Sequence, residues 1–328
     1  MECGDIERAR RAAGRMTNWR RGTATAALAE HFARSGDPQE ARRLLEAATR
    51  LAEGEEDWRR DRIRVAIARV QLVLGEAEEA ARMEQGLELS EFGKADSLRA
   101  TSEPEDRFDA RLEVIDRVLE ARSFDQTRNQ TATIEALYRR YHGSEARRAL
   151  ILERIRTAVV QLAMAERIAF LLRLSAIATE LGDRTSAMAF LDEAQAFATD
   201  QRWLAEDQVP ILARIATARF LAGDPEAALA LAESAAQTYR AGRQTIVDVF
   251  RAEALRPLAE TYAAMGRNEE ALEFYRMAVE EGALNPNARP RALDLCDTAC
   301  SMAAGRVEPD AALCRRMREI QGALGAPW

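Results

Sequence analysis

The chain is 328 residues long and carries 47 basic against 54 acidic side chains, a net charge of −7, with 47% hydrophobic and 6% aromatic residues. That length exceeds one ordinary compact core, and the acidic balance disfavours bulk attraction to nucleic acid or to an anionic membrane. Abundant alanine, and no long alternation of apolar and polar residues, point to an all-α protein.

From the N-terminus, Met1 to Arg15 carries charge throughout and has no apolar centre, so no signal peptide is expected. No stretch approaches the roughly 20 apolar residues of a membrane span, and the expected location is the cytoplasm. Lys94 is the only lysine, so nearly all positive charge is arginine.

A glycine followed five residues later by alanine recurs at Gly4–Ala9, Gly36–Ala41, Gly75–Ala80, Gly182–Ala187, Gly223–Ala228 and Gly266–Ala271. Gly143 and Gly305 begin similar stretches, with alanine six residues on at Ala149 and Ala311, and a copy lacking glycine is expected near Ser123. Glycine just past a helix end takes the left-handed conformation of a C-cap, and an acidic residue after it can cap the next helix. Gly36-Asp37-Pro38-Gln39-Glu40 reads as turn, N-cap, first helical residue and capping-box partner. Each such turn reverses the chain into an antiparallel helical hairpin, and hairpins this small must stack to bury their faces. Trp19 and Trp58 each precede their glycine by 17 residues, with Asn18 or Asp57 as the helix cap and the indole packed on the preceding hairpin or offered as a stacking platform.

Residues 89–107 are polar and contain Pro104, so any irregular break is expected there, within one repeat domain spanning 1–328. Helices are expected over Arg111–Arg122, Thr131–His142, Glu145–Ala163 and Ala165–Leu181. Pro257 should kink its helix or mark its true start. Gly282–Arg291, with two prolines and two asparagines, reads as an ordered connection before a helix from Ala292, or as a recognition loop. Cys296, Cys300 and Cys314 are expected to pack buried in the last hairpin. A disulfide is the oxidised alternative, and a metal site lacks a fourth ligand because His31 and His142 are remote.

No phosphate loop, dinucleotide fingerprint, zinc-protease motif or nucleophile elbow is present, so neither catalysis nor a cofactor is expected. His142 beside the turn at Gly143 is explained by the negative end of a helix dipole.

Residues 252–285 resemble a tetratricopeptide repeat. Leu255, Leu258, Ala259, Tyr262, Gly266, Ala271, Tyr275 and Ala278 stand at its signature positions, and residues 22–55 follow with Leu28, Ala29, Phe32, Gly36, Ala41, Leu45 and Ala48. Residues 168–201 and 209–242 keep the turn and the alanines but lose the aromatics. The resemblance implies a right-handed superhelical solenoid of about eight antiparallel helix hairpins, with the first helices lining a concave groove. Mapped onto the family's partner-contacting positions, the candidate groove residues are Arg34, Arg62, Arg69, Phe220, Arg256 and Glu260. The family's lysine- and asparagine-rich carboxylate clamp is missing, which argues against chaperone-tail binding.

The expected function is therefore a non-catalytic interaction scaffold for an unidentified protein or peptide. Arg34, Arg62 and Arg69 would take an acidic or C-terminal segment, unless they simply satisfy nearby carboxylates. A ligand-responsive sensor of the same build is the second reading, and an enzyme or nucleic-acid binder the third. No nucleic acid or membrane partner is expected.

Overall fold

The computed structural model describes residues 6–84 and 108–324, and the expected irregular stretch at 89–107 lies outside them, as do Cys3, Gly4 and Trp328. The described residues form sixteen helices and no strand. They divide into two compact units, one up to Leu162 and one from Ala163 onward.

In the first unit, α1 (Ile6–Arg15) packs on α2 (Trp19–Arg34), which pairs with α3 (Pro38–Glu53). Next comes the pair α4 (Asp57–Val73) and α5 (Ala77–Glu84). Then α6 (Phe108–Glu120) packs on the pair α7 (Phe124–Tyr141) and α8 (Glu145–Gln161). In the second unit three tight hairpins follow one another: α9 (Met164–Glu180) with α10 (Arg184–Thr199), α11 (Ala205–Leu221) with α12 (Pro225–Gly242), and α13 (Asp248–Ala264) with α14 (Asn268–Ala283). The helix α15 (Ala288–Ala304) packs on α13 and α14, and α16 (Ala311–Ala323) packs on α14. Six neighbouring pairs among the described helices form antiparallel hairpins, and within each unit they stack as in a tetratricopeptide-like solenoid.

The turn chemistry explains the pairing. Gly36, Gly75, Gly182, Gly223 and Gly266 all have φ between 73° and 85°. In each case the N–H of the next residue donates back to the carbonyl five residues earlier, as in Asp37 to Phe32 and Asp224 to Arg219, both 2.9 Å. That is the Schellman closure, which turns the chain and satisfies carbonyls the helix leaves open. The alanines five residues on, Ala41, Ala80, Ala187, Ala228 and Ala271, are completely buried. A methyl there lets the two helices of a hairpin approach closely where a larger side chain would hold them apart.

Several sequence expectations are corrected. Gly143 is not left-handed, Gly305 has φ −75°, and the left-handed place after α15 is taken by Arg306 (φ 54°). Ala149 and Ala311 are exposed accordingly. The glycine-free copy does turn, with Arg122 left-handed at φ 49° directly before Ser123. Asp37 caps α3 by accepting from the Glu40 N–H, but the Glu40 side chain closes no capping box, because Arg10 and Arg43 hold it at 2.6 and 2.7 Å. Asn18 caps α2 through its side chain, whereas Asp57 is the first residue of α4 and Glu56 stands at the cap with no side-chain bond. Pro257 neither starts nor ends its helix: α13 begins at Asp248 and Pro257 is buried inside it. The connection before α15 shrinks to Leu284–Asn287, since α14 runs to Ala283 and α15 begins at Ala288 instead of Ala292.

Cys296 and Cys300 are exposed free thiols and Cys314 is half-buried, contrary to the expected buried packing. The core positions near them belong to Asp294, Thr298, Ser301, Met302 and Leu313. Among the described residues no cluster of metal-ligating side chains occurs, and no helix is long and apolar enough to cross a membrane.

Candidate functional site

The first helices of successive hairpins line clefts, and the residues that do so keep a fixed register to the turn glycine. In the second unit a cleft of about 690 Å³ runs across α9, α11 and α13. Nine residues before the glycine stand Arg173, Arg214 and Pro257; six before it stand Ala176, Thr217 and Glu260. Ile168, Leu172, Ile211 and Leu221 supply the apolar walls, and Ala165, Ala169 and Ala218 leave the room between them. This combination, a mostly apolar concavity with a few polar groups, is the usual form of a ligand site.

Polar ties hold the walls. The Thr261 hydroxyl, buried between α11 and α13, stands 2.8 Å from the Ala213 carbonyl, 2.7 Å from the Pro257 carbonyl and 2.9 Å from the Thr217 hydroxyl. Glu260 accepts from the Ser301 hydroxyl at 2.6 Å, and Ser301 also meets the Tyr275 hydroxyl at 2.9 Å. Burial, helped by the nearby Glu260 charge, pushes the Tyr275 phenol up to about 12. Behind the cleft, the 6%-exposed Arg219 joins Asp192, Gln195 and Asp224 at 2.5–3.1 Å and so ties α11 to α10 and to its own turn.

A second hollow, of about 400 Å³, adjoins the first and shares Ala165, Ile211 and Arg214 with it. Trp203, Leu204, Pro210 and Phe250 are its apolar lining, and Glu206, Asp207 and Glu253 its acidic lining. Leu204 is 66% exposed and Phe250 45%.

The first unit has its own cleft, of about 340 Å³, on α2 and α4, with Thr23 and Arg62 thirteen residues before their glycines and Glu30 and Arg69 six before. Glu30 holds Arg34 at 2.8 Å and Arg69 at 3.1 Å. Arg62 lies over the rings of both Trp19 and Trp58, 5.3 and 5.8 Å from their centroids, while the two indoles meet edge to face at 5.5 Å. Trp58 thereby meets the preceding hairpin, as expected, through Trp19 of α2, and Trp19 packs on the core cluster that includes Ala13 of α1.

Of the residues expected to line a groove, Glu260 lines the large cleft, and Arg62 and Arg69 line the smaller one. Arg34 sits beside the latter on Glu30. Phe220 is half-buried and not in the lining, which its neighbour Leu221 supplies. Arg256 turns instead to α15, where it pairs with Asp294 at 3.2 Å and Asp297 at 3.8 Å. Sequence reasoning passed over Arg173, Arg214 and Glu180. The shared nine-residue offset of Arg173, Arg214 and Pro257 from their glycines was the signal that could have found the first two.

Stacked hairpins with lined concavities define a helical-repeat protein of the kind that serves as an interaction scaffold. Residues 22–47 and 252–277 match the family model described as tetratricopeptide repeat, the same two segments whose residues carry the resemblance in the sequence. No curated protein sequence matches the chain. Fifteen solved chains do, among them one titled "Crystal Structure of Rap Protein Complexed with Competence and Sporulation Factor". It is 13% identical, covers 93% of this chain and 99% of its own, and has a TM-score of 0.33.

Proposed function

We propose that the protein is a non-catalytic scaffold that binds a peptide or protein segment in the cleft of its second unit. One observation carries this reading: a cavity of about 690 Å³ with apolar walls runs across the first helices of three consecutive hairpins. Its walls are preformed by the Thr217–Thr261 contact and by the Arg219 network, so little ordering cost remains for the protein when a segment enters. Leu172 and Leu221 offer it exposed or half-exposed apolar area, and Arg173, Arg214, Glu180 and Glu260 offer polar anchors that would fix its register.

The test is site-directed photocrosslinking in the full chain. A crosslinking amino acid at Leu172 should give a discrete protein adduct, absent when it stands at Gln237, an exposed position on the second helix α12. Ala176→Trp, at an exposed position in the cleft, should abolish the adduct without lowering the melting temperature. Equal adducts from positions 172 and 237, or an adduct indifferent to Ala176→Trp, would remove the cleft from the proposal.

A further inference from the structure

The strongest unassigned feature of the molecule is the charge around the mouth of that cleft. Across the second unit, several carboxylates are paired: Asp192 and Asp224 with Arg219, Glu281 with Arg243, Glu280 with Arg316, and Asp310 with Arg276. Glu206, Asp207 and Glu253 make no ion pair among the described residues, and all three stand on one hollow. They share the lining of that hollow with Trp203, Leu204 and Phe250, and of these Leu204 and Phe250 are open to water. The Trp203 Nε1 donor is buried there without an acceptor.

Two of the three acids have an internal explanation. Glu206 and Asp207 lie in the first turn of α11, where the helix dipole favours negative charge. Glu253 does not, because it stands one turn further along α13. The helix dipole also does nothing for the exposed leucine and phenylalanine that share the hollow with the acids. An apolar patch beside acidic side chains is the complement of a segment carrying apolar and basic side chains together.

We infer that the occupant of the cleft is a cationic amphipathic protein segment, with its lysine or arginine residues against Glu206, Asp207 and Glu253 and its apolar residues running inward past Ile211 toward Leu172. This rests on the cleft being the binding site. Arg214 ends the acidic zone: it lines both hollows and makes no ion pair or hydrogen bond among the described residues. Deeper in, Arg173 and Arg214 are balanced by Glu180 and Glu260, so the occupant's basic residues are favoured most at the three acids of the mouth. The acidic partner expected for the arginines of the first unit would be repelled here.

The experiment is a selection of twelve-residue peptides from a random display library on the immobilised full chain. The selected peptides are then measured by fluorescence anisotropy on three proteins: wild type, the triple variant Glu206→Gln/Asp207→Asn/Glu253→Gln, and Ala176→Trp. All three substituted acids are at or near the surface, and circular dichroism melts check that both variants fold. Leu221→Trp, also at an exposed lining position, serves if Ala176→Trp does not. Selected peptides should combine Lys or Arg with Leu or Phe. They should bind the triple variant roughly tenfold more weakly at low salt, since each exposed ion pair contributes a factor of about 1.4 to 5. The difference should shrink as salt is raised. Binders that are acidic or neutral, or that bind the triple variant equally well yet fail on the tryptophan variant, overturn the charge assignment and leave the cleft as the site. Binders indifferent to every substitution, or no binders at all, overturn both.

Discussion

Gly242 and Gly322 are both helical glycines of the second unit, and replacing each by alanine should have opposite effects. In open space such a change stabilises a helix by about 0.5–1 kcal/mol, because alanine loses less freedom on folding. Gly322 is in open space, with no atom within 4 Å of where an added Cβ would stand. At Gly242 a Cβ would stand 2.6 Å from the Cβ of Ala205 at the start of α11. Carbon atoms rest at about 3.5–4.0 Å, so the two helix ends must part by roughly 1 Å. Neither methyl has a rotamer to turn away, and the strain falls on the backbone. Overpacking of this kind costs about 1–3 kcal/mol, which leaves Gly242→Ala destabilised by about 0–2.5 kcal/mol after the propensity gain, about 1 kcal/mol at the centre of that range. For a unit of this size about 1 kcal/mol is a fall of about 2–4 °C in melting temperature, followed by circular dichroism, against a small rise for Gly322→Ala. If Gly242→Ala melts as high as Gly322→Ala, the close approach of α11 and α12 at this point is wrong.

Gly266→Val should destabilise by about 1–2 kcal/mol, although nothing crowds the site, because φ +73° puts a β-branched side chain in the left-handed region. Urea unfolding checks it, and an unchanged midpoint would mean that the turn is not held left-handed. The fully buried Tyr275 gives a pH signature. Its folded pKa of about 12 lies above the unfolded value of about 10, so its contribution is complete below pH 10 and is lost as pH rises toward 12. Tyr275→Phe should remove on the order of 2–3 kcal/mol of that alkaline loss, read as a flatter dependence of the urea midpoint on pH between about 10 and 12. An unchanged slope would place the titration elsewhere.

The repeat was legible because its turns are chemical. A left-handed glycine followed by a buried alanine is a steric requirement on each of the two residues, and five of the copies meet it. The imitations at Gly143 and Gly305 have the alanine one residue later, a helical rotation of about 100°, which carries it off the buried face. The first-helix caps were less legible. Ala163, Leu204 and Val247 precede α9, α11 and α13 with no side-chain cap, so those starts are set by packing and leave no polar signature. The site was legible only in part. Glu260, Arg62 and Arg69 follow from family positions, but whether an arginine faces a cleft or a neighbour's carboxylate is decided by its long side chain. Arg256 and Arg34 chose Asp294 and Glu30.

The same residue type serves opposite ends in the second unit, and register to the glycine separates them. Ala187, Ala228 and Ala271, five residues after their glycines, are completely buried and bring paired helices together. Ala165, Ala169 and Ala176, at 17, 13 and 6 residues before Gly182, face the cleft, where their small size leaves space unfilled. One turn of helix separates 17 from 13, another separates 13 from 9, and the six-residue position lies one further turn along, so these alanines form a single stripe down α9. On α2 the equivalent stripe carries Trp19, Thr23, Ala27 and Glu30, and on α4 its thirteen- and six-residue positions are Arg62 and Arg69. Larger and charged side chains thus line the first unit's cleft, which has about 340 Å³ across two first helices against about 690 Å³ across three. The stacking scheme is therefore common to both units, and what each cleft can admit is written in four positions per first helix.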